Sequence, residues 1–179
     1  MDGDVAKILI NQEQLRERVT QLGAELTRDY AGKKLMLVGI LKGAVLFMAD
    51  LMREIRLPLA YDFMAVSSYG AATVTSGVVR ILKDLDSSVE NTHVLIVEDI
   101  IDTGLTLKYL TETLEARQPL SVKIVTLLDK PTRRKLDVRP DYNGFVIPDE
   151  FVVGYGLDYN GNYRNLPYIG VLQPKVYQK

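Results

Sequence analysis

The chain has 179 residues, 47% hydrophobic and 25% charged, ordinary values for one folded domain that buries its own core and not for a disordered or fibrous chain. Its formal net charge of -1 supplies no overall positive field for nucleic acid or an anionic membrane. Zero cysteines exclude a disulfide framework and thiolate metal sites, and with no leader-like opening stretch the expected location is the cytosol.

After the short apolar piece AKILI, Asn11 is placed to cap a helix. Its apolar positions Leu15, Val19, Leu22, Leu26 and Tyr30 recur at steps of three or four, and Gly32 ends it. LMLVGIL is the continuous apolar run of a parallel strand covered on both faces, and Gly43 opens a helix through Val45, Met48, Leu51, Met52 and Ile55. Residues 35–52 are apolar enough to tempt a membrane reading, but Lys42, Asp50 and two glycines make them strand, tight loop and helix. Pro58 leads into the strand LAYDFMAVSS, and SYGAATVTSGVV after it is small, polar and glycine-bearing, a mobile excursion. HVLIVEDI is the next buried strand, TLKYLTETLEARQ the next helix and SVKIVTLLDK the strand after it.

Repeated strand-helix-strand units predict an α/β fold, a parallel sheet with helices on both faces and ligands at its carboxyl edge. Three strand exits share that edge: Lys42 with Gly43, the loop 98–106, and Asp129 with Lys130. From Pro140 the pattern turns to short strands and turns rich in Tyr, Gly and Asn, without linker or repeat. A single domain over 1–179 is therefore expected, with 140–179 folding back over the sheet as a cap.

The strand VLIVEDI ends in the carboxylates Glu98 and Asp99, with Asp102 three residues on, before Thr-Gly-Leu-Thr turns into a helix. Carboxylates are costly to desolvate, so a cluster of them at a strand end implies a ligand. Glycine and threonines ahead of a helix make a cradle for one phosphate, because the first amides of the helix are unpaired and the hydroxyls add donors. No GK[ST] and no GxGxxG accompany it, so ATPase and dehydrogenase readings lose ground. Acceptor-only groups beside a phosphate site suit vicinal sugar hydroxyls or Mg²⁺ carried by the ligand, and a sugar phosphate fits both halves. His93, the one histidine, precedes the strand and is read as structural.

VLIVEDIIDTGLTL resembles the phosphoribosyl diphosphate (PRPP) binding motif of type I phosphoribosyltransferases, in the form used by hypoxanthine-guanine phosphoribosyltransferases. The resemblance covers nearly the whole chain, through VGILKGAVLFMADL, SSYG, LLDKP and IPDEFVVGYGLDYNGNYRNLPYIGVL in the family's order. It implies the type I phosphoribosyltransferase fold, a mainly parallel sheet flanked by helices with a small hood from the chain ends. It implies transfer of the 5-phosphoribosyl group from PRPP to N9 of hypoxanthine or guanine, giving IMP or GMP and pyrophosphate.

By the same resemblance Asp102, Thr103, Gly104, Leu105 and Thr106 hold the 5-phosphate, while Glu98 and Asp99 face the ribose hydroxyls and their Mg²⁺. Asp102 lies near purine N7 and is the candidate for proton transfer, its plainer reading being a helix cap. Lys42, Gly43 and Arg164 match pyrophosphate positions, and the Leu41–Lys42 peptide can be cis in the family. Lys130 matches the donor to purine O6, Phe151 the ring stacked on the base, Val152 a source of backbone groups to the base edge, and Asp158 both a purine-site position and a Mg²⁺-linked position on the pyrophosphate side. Ser68 and Tyr69 match a lid over PRPP, within 67–79. Arg133, Arg134 and Lys135 are expected to be solvated charges. The expected partners are PRPP, a 6-oxopurine and copies of the chain in a homodimer or homotetramer, without nucleic acid or membrane. The alternatives are a xanthine-preferring or adenine phosphoribosyltransferase, and a phosphoribosyltransferase-like RNA-binding regulator of pyrimidine genes, which a slightly acidic chain serves poorly.

Overall fold

Nine strands divide between two sheets in the computed structural model, which describes residues 2–68 and 79–177. The larger sheet has the order β4-β3-β2-β5-β6-β7, formed by Val79–Lys83 (β4), Leu59–Ser68 (β3), Leu35–Leu41 (β2), His93–Ile101 (β5), Ser121–Asp129 (β6) and Tyr142–Val146 (β7). All its pairings are parallel except that of β3 with β4, so β2, β5 and β6 deliver their carboxyl ends to one edge. The smaller sheet is antiparallel, with Ile169–Leu172 (β9) between Val5–Ile10 (β1) and Val152–Val153 (β8). It is the hood built from both chain ends.

The continuous apolar runs are explained by two cores. Leu35, Leu37, Leu95, Val97, Val125 and Leu127 turn to one face and meet the helices Gln12–Asp29 (α1) and Val45–Glu54 (α2). Met36, Val38, Ile40, Val94, Ile96 and Ile124 turn to the other and meet Leu107, Leu110 and Leu114 of the helix Leu105–Glu115 (α3). Each such side chain contributes about 1.5–3 kcal/mol by leaving water. α1 starts where the sequence says, with Asn11 and Gln14 exchanging bonds in a capping box.

Two expectations need correction. Tyr142–Val146 was grouped with the cap, yet it is the outer parallel strand of the main sheet, bound to β6 and to Arg18 of α1, whose guanidinium donates to the carbonyls of Asn143 and Gly144. The helix 106–118 ends instead at Glu115, and Gln118 takes a left-handed φ of 58°. Among the described residues, no helix is long and apolar enough to cross a membrane.

Candidate active site

The loop after β5 carries the central motif. Gly104 sits at the start of α3 with φ of 84°, a conformation that glycine adopts without the penalty a Cβ brings. Asp102 does not cap the helix: the N-cap is Gly104, without a side-chain bond, and the Asp102 carboxylate instead accepts from Arg133 Nε at 3.1 Å. Ile40, Glu98, Ile100, Ile101, Asp102, Thr103, Gly104, Thr106 and Leu107 line a cavity of about 160 Å³. Thr103, Leu105 and Thr106 are partly exposed, and the Leu105 amide donates to Thr103 Oγ1 at 3.4 Å across the start of the helix, the kind of terminus that suits an anion.

Glu98, which lines that cavity, is buried, and Asp99 beside it in β5 is partly so. Burial first, and then the charge of Asp99, pushes the Glu98 carboxyl well above the usual carboxylate range. Burial also raises Asp99, against hydrogen bonds from Glu98 and from the Ile100 amide and the positive charge of Arg164. A pair whose charged form is disfavoured by burial gains from a divalent cation or from hydroxyl donors brought by a ligand. Among the described residues no cluster of three or more acidic or histidine side chains could by itself enclose a metal. Glu98 and Asp99 alone could hold a hard cation only together with oxygens supplied by a ligand.

The exit of β2 closes over this pair. The Leu41–Lys42 peptide is cis, Lys42 is exposed, and Gly43 is buried against Asp99. A Cβ on Gly43 would fall 1.6 Å from Asp99 Oδ2, so glycine is required for the approach. From the hood side, Gly156 (φ 103°) presses on the same loop: a Cβ there would lie 2.0 Å from the Gly43 carbonyl oxygen. Arg164 donates to the Gly156 carbonyl at 2.5 Å and pairs with Asp158 at 2.6 Å, and the other Asp158 oxygen accepts from the Gly161 amide at 2.7 Å. Asp158 thus belongs to the Arg164 turn and not to a cluster with Glu98 and Asp99.

One strand further along, the Lys130 amide donates to the Ile101 carbonyl at 2.9 Å, tying the exit of β6 to that of β5. Lys130 is 8% exposed, and its ammonium donates to the Glu150 carbonyl at 2.6 Å. Burial lowers its pKa, opposed by the charges of Asp102 and Asp149. Phe151 is 39% exposed, and Val152 lies in β8, an edge strand of the hood with one backbone side not used by β9. Ser68 ends β3, while the rest of the expected lid through residue 78, Tyr69 included, lies outside the described residues. His93 is far from this edge, at the start of β5, with Nδ1 2.8 Å from Ser121 Oγ and its ring edge-on to Tyr30.

Arg134 corrects the sequence reading. It is not solvated: its side chain is 15% exposed and ion-paired to Asp129, and it donates to the Asp102 carbonyl at 3.2 Å and to the Val138 carbonyl. The Lys135 amide adds a bond to the Thr103 carbonyl at 3.0 Å. The segment after Lys130 is a strut behind the loop 102–104, which neither charge pattern nor periodicity reveals. Arg133 is half exposed but also engaged, by Asp102 and, at 3.6 Å, by Asp149. A larger groove of about 940 Å³ between α1, α2 and residues 165–167 holds none of the predicted site residues. The smaller cavity instead holds Glu98, Asp102, Thr103, Gly104 and Thr106 of the predicted set.

The model of the family described as phosphoribosyl transferase domain matches residues 6–160. The chain is 57% identical over 178 residues to a hypoxanthine-guanine phosphoribosyltransferase of Bacillus subtilis (strain 168), covering 99% of each. It is 56% identical over 177 residues to the Staphylococcus aureus (strain Mu50 / ATCC 700699) protein of the same name, again covering 99% of each. A crystal structure of a hypoxanthine phosphoribosyltransferase from Staphylococcus aureus superposes with a TM-score of 0.97 at 55% identity, over 100% of this chain and 97% of that one.

Proposed function

From the chain's membership of the phosphoribosyl transferase domain family, we propose that it is a purine salvage enzyme that transfers the 5-phosphoribosyl group of PRPP to N9 of hypoxanthine or guanine, forming IMP or GMP and pyrophosphate. The observation that carries the reading is adjacency. The Lys130 amide is bonded to the Ile101 carbonyl at 2.9 Å, so a buried ammonium follows one strand exit and a phosphate-sized cavity the next.

The 5-phosphate would sit on the amides and hydroxyls of 102–106, with the ribose hydroxyls toward Glu98 and Asp99. Lys42, Gly43 and Arg164 would receive the pyrophosphate. As the bond from C1 to the pyrophosphate oxygen breaks and the bond from C1 to N9 forms, positive charge spreads over the ribose, so nearby fixed charges govern the barrier. The base loses a proton in this exchange, and Asp102 would accept it. Lys130 is a donor only, which favours a carbonyl at C6 and leaves an amino group unserved. Phe151 would stack on the purine and Val152 would offer backbone groups to its edge.

Mg²⁺ would be held by Glu98 and Asp99 together with substrate oxygens, supplying charge that offsets the diphosphate. Asp158, both oxygens engaged, would reach it through water. A cytosolic location and assembly as a homodimer or homotetramer belong to the same reading; cell fractionation and light scattering test them.

The deciding assay is PRPP-dependent and Mg²⁺-dependent turnover of hypoxanthine and guanine beside adenine and xanthine. Lys130→Ala should weaken 6-oxopurine binding by about 1.5–3 kcal/mol, as for a charged hydrogen bond, with PRPP affinity unchanged. Turnover of adenine in preference to hypoxanthine, or loss of PRPP binding alone in the variant, would overturn the assignment.

A further inference from the structure

Phe151 would be a poor platform by itself, since an aromatic ring at the surface turns about a broad, two-fold torsion. Its environment restrains it. Tyr177 stacks on one face, with centroids 4.8 Å apart and planes at 22°. Tyr159 meets Phe151 edge-on at 5.7 Å and 88°, and also touches Tyr177 at 6.5 Å and 66°. The three rings make a closed triangle, and Tyr159 and Tyr177 pack on the hood core of Val153, Leu166 and Leu172. Phe151 still keeps 39% of its surface exposed beside these two rings.

Tyr177 reaches this position through a short anchored segment. It closes the terminal helical turn Pro174–Tyr177, and Gln173 before it donates from its amide to the Asp4 carbonyl at 2.8 Å and from Nε2 to the Gly3 carbonyl at 3.0 Å. The amino-terminal segment in turn approaches the base site, where Lys7 pairs with Glu150 at 2.8 Å, next to Phe151. The two ends of the chain thus meet at neighbouring residues, Glu150 and Phe151.

We propose that Tyr177 is a positioning residue for the purine site. It holds the plane of Phe151 so that the ring surface left exposed is presented to the incoming base, transferring the cost of ordering that ring from binding to folding. The inference rests on the reading of Phe151 as the ring that meets the purine. What matters is the Tyr177 ring, since the contact is ring to ring and not through the hydroxyl.

The experiment uses the full chain and three variants, Tyr177→Ala, Tyr177→Phe and Phe151→Ala. It measures KM for guanine and for PRPP, the Kd of GMP by calorimetry, and the melting temperature. Tyr177→Ala should raise KM for guanine and the Kd of GMP about 2- to 10-fold, the size of an aromatic pair contribution, without moving KM for PRPP. Tyr177→Phe should match the parent chain. Guanine affinity unchanged in Tyr177→Ala while Phe151→Ala weakens it would overturn the proposal, as would tighter binding in Tyr177→Ala, which would mean that Tyr177 covers the face the base needs. If Phe151→Ala itself binds guanine normally, the purine reading of Phe151 fails and the proposal goes with it.

Discussion

Glu98 carries an ionisation cost that the sequence motif only hints at. Burial and the neighbouring charge of Asp99 raise its pKa, so the folded chain holds that proton more tightly than the unfolded one. The sign follows: the favourable contribution is complete below the ordinary glutamate value of 4.5 and is lost as pH rises through the raised folded pKa. Glu98→Gln removes the ionisation. The ligand-free variant should therefore melt above the parent chain at roughly pH 8, with the difference shrinking toward pH 4.5. Each 1 kcal/mol relieved is worth about 2–4 °C in a chain of this size. PRPP with Mg²⁺ should reverse the order, because only the parent pair gains the counter-charge. An equal melting difference at both pH values would show that the raised pKa plays no part. The pairing of this residue with Asp99 was legible, since two carboxylates ending an apolar strand demand a partner, but its depth of burial was not, because that depends on what packs against the strand end.

At the scale of elements, the strands that read correctly include two buried on both faces and the half-exposed Leu59–Ser68, which shows some alternation. Leu35–Leu41 is apolar throughout and His93–Ile101 has the apolar run Val94–Val97 ahead of Glu98 and Asp99. Tyr142–Val146 carries Asn and Gly and pairs on one side only within the described sheet, so its composition resembles a turn region and its place depends on β6 and Arg18. Arg134 was misread for a related reason: a basic run tells nothing of which member turns inward. Here one does, and its fork ties the Asp129 end of β6 to the carbonyl of Asp102. Arg134→Gln should raise KM for PRPP about 10-fold by freeing the phosphate loop, and destabilise the chain by about 1–3 kcal/mol through the orphaned Asp129 carboxylate. Arg134→Lys should recover only part of both, because a single ammonium cannot bridge two acceptors in the planar fork that guanidinium provides. Urea melts with KM for each substrate would read this; a glutamine variant with parental PRPP affinity would remove the strut from the account.

For the whole molecule, the decisive contact is between the hood and the main sheet. The sequence indicated that the tail folds back, from its Tyr, Gly and Asn content and the absence of a linker, but not where it lands. It lands on the loop after β2: Gly156 meets the Gly43 carbonyl, Gly43 meets Asp99, and Arg164 bonds back to Gly156. This stack fixes the distance between the Arg164 turn of the hood and the carboxylates of the sheet. The same hood carries Phe151 and Val152, so a shift in it should move the base site together with the Arg164 turn. Gly43→Ala disturbs only the sheet side, by displacing Asp99, and should weaken PRPP while sparing guanine. Gly156→Ala must both strain a positive φ and push the hood off the loop, so it should impair both substrates together. The expected loss is about 100-fold in kcat/KM, the cost of an ångström-scale misplacement. Its melting temperature should fall by about 2–4 °C for each 1 kcal/mol of strain. Initial-rate kinetics in both substrates, with the two alanine variants side by side, test the coupling: if Gly156→Ala raises KM for PRPP alone, the hood does not carry base and pyrophosphate groups as one unit.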